Sequence, residues 1–296
     1  AFEAMKTTAT NRHYDGLPEY SKLGYIPFDK EAESVSKTLE YAYDDYCIAQ
    51  AAKVLGKEKD YDYFMKRAMN YKNLIDPETK YMRGRDSQGN WRTPFSPIAY
   101  QGPGSVHGWG DITEGFTMQY SWYVPHDFKG YMDIVGKEML LNRLDEMFTT
   151  EMDEDIPGAH DIQGRIGAYW HGNEPCHHIA FLYNQLDQPW KCQQWIRTIT
   201  DRFYGNQPNS LSGNDDCGQM SAWYIFACMG FYPVAPSSNV YSIGSPCIEA
   251  ITTTLSNGKQ IKVTTKNWSA KNLYIKELYL NGKRHNQSYL HYDDIK

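Results

Sequence analysis

Four carboxylates stand in stretches rich in Gly, Asn, His and Trp: Glu114, Glu174, Asp215 and Asp216. Carboxylates on separate stretches suit hydrolysis of a glycosidic bond. One protonates the leaving oxygen and, for inversion, the other holds a water on the opposite face, the two about 6.5–9.5 Å apart. Glu114 sits where a loop enters a helical pattern, a place where an acid can simply complement the helix dipole. Its neighbours Trp109, Trp122, His126 and Asp127 make a cleft the better reading. Glu174 shares the stretch 169–178 with His171, His177 and His178. Three histidines and a glutamate raise zinc, but the i, i+4 His-Glu-x-x-His spacing is absent and adjacent histidines on a helix point about 100° apart. Polar contacts to hydroxyls fit this stretch better. Asp215 and Asp216 follow Asn214 at a helix start, where one Asp caps and a second is surplus. Asn184 is polar within an apolar run; a satisfied buried amide and a ligand role are equally open.

The elements that must position these groups are helical over most of the chain. Apolar residues recur at helical spacing over 31–55 and again over 59–75, which predicts a helical hairpin. Residues 76–113 read as a long irregular excursion, a common home for function. Helical patterns resume over 116–122, 130–148, 177–187, 190–204 and 220–229, with the clustered acids, histidines and tryptophans in the loops between them. From about Val240 the character changes to short β-branched runs separated by Asn257-Gly258 and Asn281-Gly282 turns. Paired helices with functional loops at one end suggest an α/α toroid, though a bundle or solenoid gives the same periodicity.

Hydrophobic residues at 41% and charged ones at 22% make the 296-residue chain globular. No apolar run approaches the ~20 residues that span a bilayer, so no membrane role is expected. A net charge of −6 offers no basic face for phosphates, which argues against nucleic-acid partners. The 8 Trp and 24 Tyr suit sugar faces as well as an aromatic core. Six cysteines without a Cys-x-x-Cys pair support neither zinc nor redox motifs and read as small buried hydrophobes. The opening residues lack a signal-peptide pattern and begin inside a helix-like run, which reads as a fragment or a processed product.

Four stretches carry a resemblance: SVSKTLEYAYDDYCIA (34–49), EGFTMQYSWYVPHD (114–127), HGNEPCHHIAFLYN (171–184) and GNDDCGQMSAWYIF (213–226) with MGFYP (229–233). In this order and spacing they resemble glycoside hydrolase family 92, whose members are exported, calcium-dependent, inverting exo-α-mannosidases with an N-terminal β-domain before an (α/α)6 toroid. The resemblance implies a mainly α chain: an incomplete (α/α)6 toroid over 1–237, its first helices missing, then a small, incomplete β-sandwich-like region over 238–296. It implies Glu114 as general acid, with Glu174 the next candidate, and Asp216 with Asp215 as general base. Asn173 and Glu174 fall at the leaving-sugar subsite, and His177, His178, Trp109 and Trp122 complete the expected substrate contacts. Asn184 and Asn214 are the expected Ca2+ ligands. The implied substrate is a terminal α-mannose, α1,2-linked, on a mannose-containing glycan. The missing N-terminal β-domain of the same polypeptide is an expected partner, and the location periplasmic, cell-surface or secreted. Two alternatives remain: an inactive sugar-binding fragment, and another inverting toroid enzyme such as an α-glucosidase.

Overall fold

The computed structural model describes residues 1–101, 110–152, 156, 159 and 163–295. The chain forms two compact units, Ala1–Asp161 with Gly167–Tyr169, and Ile162–Ile166 with Trp170–Lys296. Among the described residues no helix is long and apolar enough to cross a membrane.

The first unit opens with α1 (Phe2–Ala9) and α2 (Leu17–Leu23), the latter carrying Pro18 in its first turn, where a missing N–H leaves no bond unmade. The hairpin expected from periodicity follows as α3 (Ser34–Val54) and α4 (Glu58–Ala68), with the last turns tightened into a 3-10 segment, Met69–Leu74. Phe2, Ile48, Ala49, Ala52 and Phe64 pack as one cluster, the alanines letting the backbones approach closely. A single buried carboxylate ties this layer together. Asp45 accepts the Tyr20 hydroxyl and the Arg67 Nε–H, both at 2.9 Å, and Arg67 donates again to the Ala9 carbonyl at 2.9 Å.

Further along come α5 (Thr117–Tyr120), α6 (Phe128–Val135) and α7 (Lys137–Thr149). The single helix expected over 130–148 is two helices. Gly136 separates them at φ 98°, outside the helical region and accessible to glycine at little cost.

In chain order β1 (Arg165–Ile166) and β2 (Tyr169–Trp170) lead into the second unit, where 3-10 turns occupy Glu174–Cys176 and Ile179–Asn184. The α-helix expected over 177–187 is this 3-10 stretch, and Ile179–Tyr183 are all 0% exposed. A segment buried on every side shows no apolar stripe, so periodicity could not distinguish its type. α8 (Pro189–Phe203) and α9 (Gln219–Met229) match their expected spans within a residue or so.

Strands begin at β3 (Phe231–Ala235), earlier than the composition change near Val240, and continue through β4 (Val240–Ile243). The register shifts between Tyr232 and Ala235, which accommodates Pro233 at an irregularity. After β5 (Ala250–Thr254), β6 (Gln260–Thr264), β7 (Leu278–Leu280) and β8 (Lys283–His285), β9 (Tyr289–His291) returns to pair antiparallel with β4, giving the order β3-β4-β9. The hairpins β5-β6 and β7-β8 stand as separate two-stranded sheets. In the second, Asn281 (φ 50°) and Gly282 (φ 78°) supply the paired positive φ of a tight hairpin turn. Met229, Phe231, Ile243 and Leu290 form the local core under these strands.

Candidate active site

In the first unit Glu114 is exposed, at φ 48° in the left-handed region, where an L-residue carries strain. The chain on both sides is fixed. Asp111 is 4% exposed and accepts from Ser34 Oγ (2.9 Å), Arg92 Nε (2.5 Å) and the second Arg92 nitrogen (2.8 Å). Its carbonyl takes the N–H groups of Val35 and Ser36 at the start of α3 (2.9 and 3.2 Å), and Ser36 Oγ accepts the Thr113 N–H at 2.9 Å. Beyond Glu114, the Gln119 carboxamide accepts the Phe116 N–H at 3.2 Å. A clamped loop thus displays one acid in a strained conformation.

The residues around Glu114 have other work. Asp127 caps α6, accepting the Gly130 N–H at 3.1 Å and the Tyr71 hydroxyl at 2.7 Å. His126 bonds the Ala68 carbonyl through Nε2 (2.8 Å) among the rings of Tyr43, Tyr46 and Tyr71, and burial pushes its pKa down. Trp122 is 2% exposed, and Trp109 lies outside the described residues. Sequence reasoning missed Glu40 on α3. Burial, then the negative charges of Asp44 and Glu33, push its carboxyl up to about 7 against an opposing hydrogen bond from Tyr120. The i, i+4 spacing of Glu40 and Asp44 within a recognised stretch was the available signal.

In the second unit the 170–178 and 212–219 stretches meet. Gly172 lies so close that an added Cβ would stand 2.8 Å from the Ser212 carbonyl and 2.9 Å from that of Gln163, so only glycine fits. His171 is fully buried, 4.3 Å from the Trp223 ring centroid, and bonds the Tyr204 hydroxyl through Nε2 at 2.7 Å. His177, 1% exposed, reaches the His171 carbonyl through Nε2 (2.9 Å) and the Gln219 carboxamide nitrogen through Nδ1 (3.2 Å). A carbonyl can only accept and an amide nitrogen only donate, so the neutral His177 carries its proton on Nε2. Burial first and then the His178 charge lower its pKa to about 4, with Asp216 pulling the other way. Both histidines are therefore neutral hydrogen-bonding groups. Asn173 (4%) and His178 (5%) are buried beside them, and Glu174 is half-buried.

The adjacent aspartates divide their roles. Asp215 Oδ1 accepts the N–H and the hydroxyl of Ser221 in the first turn of α9, both at 2.9 Å. Asp216 is exposed, and it, Cys217 and Gly218 run through three consecutive positive φ values of 47°, 57° and 94°. Strain of that kind is held only where the surroundings over-determine it. The described residues of this unit thus bring Asp216 within electrostatic range of His177, three residues beyond Glu174.

A calcium ion takes six to eight hard oxygens. Asn214 and Asp216, both exposed, offer such donors on one loop. Asn184 is 7% exposed, its Nδ2 donating to Ser242 Oγ and the Ile243 carbonyl (both 2.7 Å), and its buried Oδ1 has no hydrogen-bond partner among the described residues. That oxygen has suitable chemistry, but the cavity of about 220 Å³ that Asn184 lines is also lined by Lys276 and Arg284, which oppose a divalent cation. Among the described residues no three His, Cys, Asp or Glu side chains gather to hold a metal.

The family model for the glycosyl hydrolase family 92 catalytic domain matches residues 1–296. The chain belongs to glycoside hydrolase family 92. It is similar to a solved family 92 α-mannosidase from Bacteroides thetaiotaomicron in complex with mannoimidazole, at 76% identity and TM-score 0.98, covering 99% of this chain and 39% of that one. A family 92 inverting mannosidase from the same organism is 36% identical at TM-score 0.86, with 100% of this chain and 41% of that chain covered. An uncharacterized secreted glycosidase from Arthroderma benhamiae is 26% identical over 309 residues, 93% of this chain and 37% of the relative. The family 92 chain thus spans well under half the length of the relatives it matches.

Proposed function

We propose that the protein to which this family 92 chain belongs is an exo-acting α-mannosidase that releases terminal non-reducing mannose from glycans by inverting single displacement. The observation that carries the reading is that each unit presents one exposed carboxylate from left-handed backbone, Glu114 in the first and Asp216 in the second. The similar Bacteroides thetaiotaomicron proteins, described as an α-mannosidase and an inverting mannosidase, support this substrate and stereochemistry. In this mechanism Glu114 protonates the glycosidic oxygen and Asp216 takes a proton from the attacking water. Asp215 holds the start of α9 and with it the backbone that aims Asp216. Glu174 and Asn173 bind the departing sugar, preferentially across an α1,2 linkage, and Glu174 is the alternative acid. His178 contacts sugar hydroxyls, and His177 supports it from behind, its two ring nitrogens held by the His171 carbonyl and Gln219.

Calcium is the proposed cofactor, with Asn214 the better-placed donor and Asn184 the weaker one. When bound, it would supply positive charge beside the sugar hydroxyls, held by Asn214 and Asn184. The remainder of the polypeptide, an N-terminal β-domain, packs against an (α/α)6 toroid to which this chain contributes, followed by a sandwich-like β-region. The relative from Arthroderma benhamiae, described as secreted, supports export. The test is NMR of the first product formed from an aryl α-mannoside by the full polypeptide, with and without excess EDTA. β-Mannose appearing first, and loss of turnover with the chelator, is the expected result. α-Mannose appearing first contradicts inversion, and full turnover in EDTA contradicts the calcium assignment.

A further inference from the structure

Two of the six cysteines meet in the second unit, away from any residue assigned to catalysis. Cys228 lies one residue before the end of α9, where a helix leaves its last carbonyls without intrahelical partners. Its carbonyl is taken by the Cys247 N–H at 3.2 Å, so the two backbones run side by side. Cys247 belongs to the connection between β4 and β5, which the Gly244 N–H also ties to the Gly230 carbonyl at 2.9 Å. The Cys247 sulfur lies against that of Cys228 and against Thr200 Oγ1 on α8, the latter at 3.2 Å. Tyr224, one turn before Cys228, hydrogen-bonds the Cys228 sulfur, and the Arg197 guanidinium adds positive charge beside it. These neighbours pull the Cys228 thiol down and push that of Cys247 up, because the Cys247 proton is shared toward its partner. Cys228 is buried and Cys247, half-buried, is the side from which the pair is reached; of the others, Cys176 and Cys192 are buried, Cys47 is half-buried in the first unit, and Cys217 is exposed.

We propose that Cys228 and Cys247 are a disulfide site, closed by an external disulfide oxidant such as oxidised glutathione or a dithiol oxidase of an export compartment. The Cys228 thiolate attacks one sulfur of the oxidant, forming a mixed disulfide and releasing the first thiolate. The Cys247 thiol gives its proton to that thiolate, and its sulfur displaces the second thiolate of the oxidant, which is protonated by solvent. One S–S bond forms across 228 and 247, two electrons pass to the oxidant, and it departs as two thiols. The bridge pins the C-terminal end of α9, whose other end carries the 212–218 loop, to the β4–β5 connection. It closes a loop containing β3 and β4, which restricts the unfolded chain and raises stability. This inference rests on the oxidant and the geometry and stands whether or not the mannosidase reading holds.

The test incubates the folded protein with oxidised glutathione at pH 8, quenches with acid, alkylates remaining thiols and maps cross-linked peptides by mass spectrometry. The expected result is one 228–247 linkage, reversed by dithiothreitol, with a melting temperature several degrees higher in the oxidised form. The variants Cys228→Ala and Cys247→Ser should show neither the linkage nor the shift. Complete alkylation of all six thiols after oxidation, a stable glutathione adduct without a bridge, or a linkage through Cys217 in place of this pair would overturn the proposal.

Discussion

Asp215 and Asp216 are the same residue type one bond apart, and their surroundings separate them. Asp215 gives its carboxylate to the first turn of α9, as an N-terminal cap does. Asp215→Asn should therefore lower thermal stability by about 1 kcal/mol, the usual worth of such a cap, as well as activity. Asp216→Asn should leave the melting temperature nearly unchanged while activity collapses; differential scanning calorimetry beside turnover separates the two. His177 provides a pH test. Its folded pKa of about 4 lies below its ordinary value near 6.5, so between the two the unfolded chain binds the extra proton. Its stabilising contribution is complete above about pH 6.5 and is lost as pH falls toward 4. His177→Gln should flatten that part of the stability–pH curve, and an unchanged slope in denaturant titrations would show that His177 is not the group responsible.

At the scale of elements, α3 presents two acids, Asp45 buried and Glu40 half-buried, and burial pushes both carboxyls up to about 7. Asp45 joins α2, α3 and α4 through Tyr20 and Arg67, so Asp45→Asn leaves the Arg67 charge buried without its counter-ion. The expected loss is roughly 3–5 kcal/mol, read by urea titration. Glu40 is held up at about 7 by burial, so its favourable contribution fades as pH rises above its ordinary value. Glu40→Gln should raise the melting temperature more at pH 8 than at pH 5. Helices α4 and α8 were legible because each shows one apolar and one polar face, whereas α3 and α9 were read from long runs free of Gly and Pro. The 179–184 stretch was not, since burial on all sides erases the stripe, and β3 was hidden by Pro233, which a regular central strand excludes. At the site, the surplus-aspartate argument anticipated the split between Asp215 and Asp216. The placing of His126 and Asp127 in packing and capping was not legible, because their partners Ala68 and Tyr71 lie more than fifty residues away in sequence. Glu40 was marked only by its i, i+4 spacing with Asp44, and the burial that shifts it comes from packing.

For the whole molecule, the family is carried by a match across the full 296 residues, while the chain spans 39% and 41% of the two Bacteroides thetaiotaomicron structures it resembles. The proposed turnover is therefore assigned to the full polypeptide, and this chain alone is expected to bind mannosides weakly and hydrolyse them little. The central claim is that Glu114 supplies the proton to the leaving group. It is tested most directly by kcat/KM of the full polypeptide carrying Glu114→Gln on two α-mannosides, one with a sugar leaving group and one with dinitrophenolate. General acid catalysis contributes about 10²–10⁴-fold, so a loss of that size on the sugar-linked substrate and a small loss on the activated one is the predicted result. Equal losses on both substrates would contradict it.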